Sequence, residues 1–158
     1  MAKTRVLITV TTYPLPSRSY DELVCTAGIT EQGEWIRIYP VPLKFLRGFK
    51  ELGKTTSFKY HWIELELVRR EDDFRKESHS PKDYNFDSVD INDLDKIDTR
   101  GNWFLRKRIC LRDVYTNKRK LISDSHAPLN KSLVTFKPTQ IISFDIEDDE
   151  REWKDEWK

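Results

Sequence analysis

The chain has 158 residues, 35% of them charged and 37% hydrophobic, and a formal net charge of +1. That length fits one domain or two very small ones. Five Trp, six Tyr and eight Phe are enough large rings to anchor a core despite a mean hydropathy of −0.71. No apolar run approaches the roughly 18 residues of a membrane span, and the basic start meets the polar stretch Thr11–Ser19 too early for a signal peptide. Cys25 and Cys110 lack paired spacing and read as reduced thiols of a cytoplasmic protein. With three His, two Cys and five Gly, the sequence holds neither a clustered zinc-ligand set nor a glycine-rich phosphate loop. The common nucleotide-binding and metalloenzyme classes are thereby disfavoured, and no cofactor is expected.

In chain order, the β-branched run Arg5–Thr12 predicts a strand and the proline- and serine-containing run Tyr13–Tyr20 a loop. Glu22–Thr30 predicts a second strand, joined by a turn containing Gly33 to a third, Trp35–Tyr39. In that third strand the period of two puts Ile36 and Ile38 on a core face and the row Trp35, Arg37, Tyr39 on the other. Pro40 and Pro42 are expected to end it. Apolar residues at 43, 45, 46, 49 and 52 predict a short helix over Leu43–Leu52. Tyr60–Arg69 reads as one long strand. The acidic residues 71–99 read either as a long excursion or as a loop holding one short helix near Asp90–Ile97.

Trp103–Val114 then reads as a basic strand, Asn117-Lys118 as a turn and Lys120–Ile122 as a short strand. Two more strands are expected at Ser132–Phe136 and Gln140–Ile146. The charged tail 148–158 is helical or unstructured, and Trp153 and Trp157 would share a side of a helix. Many short strands without a βαβ rhythm predict a mainly β fold: a small antiparallel barrel, OB-like or PUA-like, with one or two short helices. Residues 1–147 are expected to form this single domain.

Charge is blocky. Residues 1–60 carry nine basic and five acidic side chains, 61–100 seven and twelve, 101–144 nine and two, and 145–158 three and eight. Rings interleaved with cations hold nucleic acid by stacking and by phosphate contacts. The candidates are Trp35, Arg37 and Tyr39, then Lys44, Arg47 and Lys50, and then Trp103, Arg106, Lys107, Arg108 and Arg112. The bland alternative is that the rings pack inside and the charges are solvated. A rival reading is a protein-interaction module that docks a partner subunit through the aromatic face and acidic tail. A less favoured one is a metal-dependent nuclease using Glu64 and Glu66 on one strand face. The contiguous Asp124-Ser125-His126 has the residue types of a triad but not the separation that a triad geometry needs.

The run Val24–Pro42, VCTAGITEQGEWIRIYPVP, contains C-x-A-G-I followed by G-x-W-I-R. This pattern, over about residues 5–42, resembles a signature of dual OB-containing domain proteins of prokaryotic defence and mobile-element loci. The resemblance implies OB-like barrels, DNA or RNA as ligand, no catalytic residues and work beside a larger effector protein. It also implies that Gly28 and Gly33 set the hairpin and that Trp35 and Arg37 are the motif positions that matter most.

Overall fold

The computed structural model describes residues 2–12, 15–17, 21–55, 57–99 and 103–149. Three antiparallel pairings form its centre. Strand β1 (Thr4–Thr11) lies between β3 (Asp21–Thr30) and β5 (His61–Leu65), and β3 pairs on its far side with β4 (Trp35–Pro42). A short β2 (Leu15–Ser17) also pairs with β3. The rest of the run Tyr13–Tyr20, expected as a loop, lies outside the described residues.

Two glycines shape this centre. Gly33 sits at φ +93 in the β3–β4 turn, a conformation that favours glycine. Gly28 acts differently from its expected part in the hairpin. It lies in mid-strand, where an added Cβ would stand 2.4 Å from the Leu7 carbonyl oxygen, so it permits the close approach of β1.

With β6 (Leu67–Arg69), β7 (Ser78–Pro81) and β8 (Asp90–Lys96), the described sheet has eight strands in the order β6-β7-β4-β3-β1-β5-β8, with β2 off that path, and is antiparallel except where β4 meets β7. The small barrel predicted from the sequence is therefore corrected to a mixed α/β fold with a large, mostly antiparallel open sheet. Along the hydrogen-bonded path, β5 and β6 stand near opposite flanks, yet only Glu66 separates them in the chain. The sheet must curl strongly for one short stretch to reach both. The predicted single strand Tyr60–Arg69 is broken at that bend.

Three other expectations change. Asp90–Lys96 is an edge strand, β8, because its backbone pairs with β5 in spite of its acidic, weakly β-forming sequence. Within the same excursion, Ser78–Pro81 forms β7 and Phe86–Ser88 a single 3-10 turn. The prolines do not end β4, which continues to Pro42. Beyond Ile38 the β7 side of that strand carries no ladder partner, so absent N–H groups cost little.

Among the described residues, three α-helices replace the one or two expected. The first, α1 (Leu43–Glu51), matches the apolar spacing and buries Phe45 and Phe49. The others, α2 (Phe104–Cys110) and α3 (Lys118–Asp124), fall where strands were predicted. Asn117 is not merely a turn residue: its side-chain oxygen accepts from the backbone N–H groups of Arg119 and Lys120 and starts α3. Strand β9 (Val114–Tyr115) pairs in parallel with β10 (Thr135–Phe136), all that forms of the predicted strand 132–136. No strand forms over Gln140–Ile146. The tail from residue 150, with Trp153 and Trp157, lies outside the described residues.

The side-chain alternation of β1, β4 and β5 builds two cores, one on each face of the sheet. Val6, Ile8, Ile36, Ile38, Ile63 and Leu65 pack with Phe45 and Phe49 of α1. A ring cluster of Phe45, Phe49, Phe58, Tyr84 and Phe86, with centroid separations from 5.0 to 5.5 Å, closes that side. On the opposite face Leu7 and Ile29 pack with Ile109 of α2, flanked by Trp35 and Trp62. The sheet thus separates α1 from α2.

Candidate functional site

The aromatic–basic row of β4 alternates as the period of two predicts, but the fold absorbs it. Trp35 packs beside the small core under α2. The Arg37 side chain, 15% exposed, donates to Asp73 Oδ2 at 3.3 Å, Ser78 Oγ at 3.2 Å and Cys25 Sγ at 3.3 Å. The Tyr39 ring lies between two guanidinium groups, with Arg37 at 4.7 Å and Arg70 at 5.4 Å from its centroid. Asp73 is the hub. Arg75 donates to both of its oxygens at 2.8 Å, and the bonds from Arg75 hold the Asp73 carboxyl far below the usual carboxylate range against the penalty of burial. Arg70 grips Asp72 in the same two-pronged way and donates to the Tyr39 carbonyl at 3.3 Å. This network fastens residues 70–78 to β4.

The α1 cations Lys44, Arg47 and Lys50 are exposed, with Arg47 3.7 Å from Glu22. They belong to the helix that covers the larger core. The cations of α1 and those of α2 therefore lie on opposite sides of the sheet and do not share a groove.

Helix α2 is where exposed rings and cations meet. Only Ile109 of its seven residues is buried. The spacing 104, 107, 108, 111 places Phe104, Lys107, Arg108 and Leu111 on its outward face, and all four are exposed. Arg106 turns inward. Its Nε and Nη2 donate to the Ile97 carbonyl at 3.0 and 2.9 Å, and its guanidinium lies 3.7 Å from the Tyr60 centroid and 5.2 Å from that of Trp103. Trp103, 52% exposed, is thus held beside a fixed cation. Arg112 donates to the Glu31 carbonyl at 3.1 Å and ties the far end of the helix to the β3–β4 turn. Among the described residues, Lys107, Arg108 and Arg112 have no acidic partner.

Beside α2 runs a groove of about 350 Å³, lined by the apolar Trp62, Ile97, Leu105 and Ile109 and by the charged Glu31, Arg108 and Arg112. Sequence reasoning missed this groove. Its one signal was Trp62, which alternates to the face opposite Ile63 in β5. Beyond α2, Lys118 and Arg119 are exposed at the start of α3, while Lys120 pairs with Asp124 at 2.8 Å.

The remaining candidates have structural partners. Glu64 lies 3.5 Å from Arg5, and Glu66 accepts from Lys82 at 2.5 Å. Among the described residues, no group of three His, Cys, Asp or Glu side chains is arranged to hold a metal ion. Asp124 accepts from Tyr115 at 2.6 Å, and its carboxyl is lowered by Lys120 and then by that hydroxyl. The His126 ring nitrogen instead lies 2.7 Å from the Ile122 carbonyl. That trio therefore does not form a triad. His61 is fully buried, with Nδ1 2.9 Å from the Ser57 carbonyl. Burial raises the Cys110 thiol, which keeps it protonated. No described helix is long and apolar enough to cross a membrane.

Comparison with known proteins finds no match among curated proteins and none among solved structures. The family comparison does match, over residues 2–112, a stretch that takes in the curled sheet and all of α2 and stops before α3. Over those residues the chain belongs to the family described as a domain of unknown function, DUF8758.

Proposed function

We propose that this chain is a non-catalytic nucleic-acid recognition module whose contact surface is the outward face of α2. The observation that carries this reading is the local imbalance of charge beside exposed rings. Residues 103–112 hold four cations and no acid, and Lys107 and Arg108 stand exposed next to Phe104 and near Trp103. Trp103 supplies a face for a base, while Lys107, Arg108 and Arg112 supply phosphate contacts. Lys118 and Arg119 extend the positive stretch along the chain. A single strand suits this surface best, because the one pre-positioned ring stacks on an unpaired base and α2 is a short helix with few side chains to read a duplex groove.

The resemblance of the Cys25–Arg37 region to dual OB-containing domain proteins supports the same ligand class. It also supports a setting in bacterial or phage defence beside a larger effector. The row Trp35, Arg37, Tyr39 then serves the fold, and α1 stays outside the interface.

Fluorescence anisotropy with labelled single- and double-stranded DNA and RNA tests the reading. Three phosphate contacts to a single strand give a log–log salt slope of about −2. Salt-dependent binding that Lys107→Glu/Arg108→Glu weakens on the order of thirtyfold supports it. Absence of binding by the folded protein at low salt overturns it.

A further inference from the structure

After β10 the chain passes beside Thr116–Lys118 with its apolar residues in solvent. Ile141 is 74% exposed, Ile142 92%, Phe144 83% and Ile146 87%. Ile142, Phe144 and Ile146 alternate with Ser143, Asp145 and Glu147, which is the pattern of a strand with one apolar face. The last backbone tie of this region is Lys137 N–H to the Tyr115 carbonyl at 2.8 Å. An apolar face of this kind on an acidic segment needs a surface that is apolar at its floor and basic at its rim.

The groove beside α2 meets that description: Trp62, Ile97, Leu105 and Ile109 are apolar, Arg108 and Arg112 are basic, and the one acid of its lining, Glu31, is paired with Arg5 at 3.1 Å. The dimensions also agree. Extended, residues 142–146 span about 13 Å, and the helix with its flanks from Trp103 to Arg112 spans about 14 Å. The main sheet edge at β8 suits the segment less well, because its Asp90 and Asp95 already take up the neighbouring cations Lys3 and Arg5.

We infer that residues 140–148 of one copy of this chain dock in the α2 groove of a second copy, with Phe144 seated among Trp62, Ile97, Leu105 and Ile109 and with Asp145 and Glu147 facing Arg108 and Arg112. The exchange is reciprocal, since each copy offers one segment and one groove, and so it closes as a dimer. The inference stands without the nucleic-acid reading. If both hold, dimer and nucleic acid compete for Arg108 and Arg112.

Sedimentation velocity of the full chain without nucleic acid, over a range of concentrations and salt, is the test. A concentration-dependent dimer weakened by salt is expected. Phe144→Asp, a change at an exposed position, weakens dimerisation by about tenfold or more. Asp145→Arg/Glu147→Arg and Arg108→Glu/Arg112→Glu are each monomeric alone, and their equimolar mixture restores a heterodimer. A monomer at every concentration overturns the inference, including one whose segment is protected from protease by docking on its own groove. So does a dimer that Phe144→Asp leaves unchanged.

Discussion

Two segments of this chain carry the same chemistry, and the fold uses them in opposite ways. Strand β4 interleaves Trp35, Arg37 and Tyr39, and helix α2 with its flanks interleaves Trp103, Phe104, Arg106, Lys107, Arg108 and Arg112. On β4 the Arg37 guanidinium meets Asp73, Ser78 and Cys25, and Asp73, 9% exposed, neutralises charge at the centre of the network. On α2 one cation, Arg106, fixes a ring, and Lys107 and Arg108 are left to solvent. A ring–cation alternation is therefore not in itself a binding surface. What separates the two cases is ion pairing: Asp73 of the excursion 71–99 binds Arg37 of β4 directly, while Lys107 and Arg108 have no acidic partner among the described residues.

The largest effect that sharpens this contrast belongs to the β4 network. Asp73→Ala strands Arg37 and Arg75 in a largely buried site and is expected to cost on the order of 3 kcal/mol in denaturant unfolding. Because the folded-state carboxyl of Asp73 is held below its unfolded value, its contribution is present above about pH 4 and is lost progressively as pH falls below that. Acid titration of stability followed by tryptophan fluorescence is thus steeper in the parent chain than in Asp73→Asn. Equal acid sensitivity of the two proteins breaks the assignment of Asp73 as the hub.

The next effect is on α2. Lys107→Glu/Arg108→Glu is expected to weaken single-strand binding on the order of thirtyfold, about 2 kcal/mol. Unfolding free energy stays within roughly 0.5 kcal/mol, as for other exposed sites. Trp103→Ala follows, with a loss of about 1 kcal/mol in affinity and a weaker salt effect than the charge reversals. Smallest of all is Lys44→Glu/Lys50→Glu on α1, expected to change affinity less than about twofold, since the sheet lies between it and α2. A larger loss there, read by the same anisotropy titration, breaks the division of the sheet into a covered and a binding side.

How much was legible in the sequence follows from how each element is stabilised. Strands β1, β3 and β4 and helix α1 were readable because their apolar spacing is the packing itself: Ile36 and Ile38 face one core, and Phe45 and Phe49 meet it from above. Helix α2 was not, because it buries only Ile109 and so carries no apolar stripe for periodicity to detect. Strand β8 was misread for the converse reason, its acidic residues being drawn into a strand by the free edge of β5. The curl of the sheet depends on the single break at Glu66, where local propensity says nothing of which neighbours wait on each side. The basic residues of the candidate site were legible as a cluster. Their separation into two sides was not, since it depends on which face of one sheet each helix covers.

The most direct test of the central claim is a backbone NMR titration of the isotope-labelled full chain with a short single-stranded oligonucleotide. Amide shifts concentrated at 103–112, with 35–39 and 44–50 unmoved, are the predicted result. Shifts centred on Trp35–Tyr39, or no shifts in the folded protein, would contradict the account.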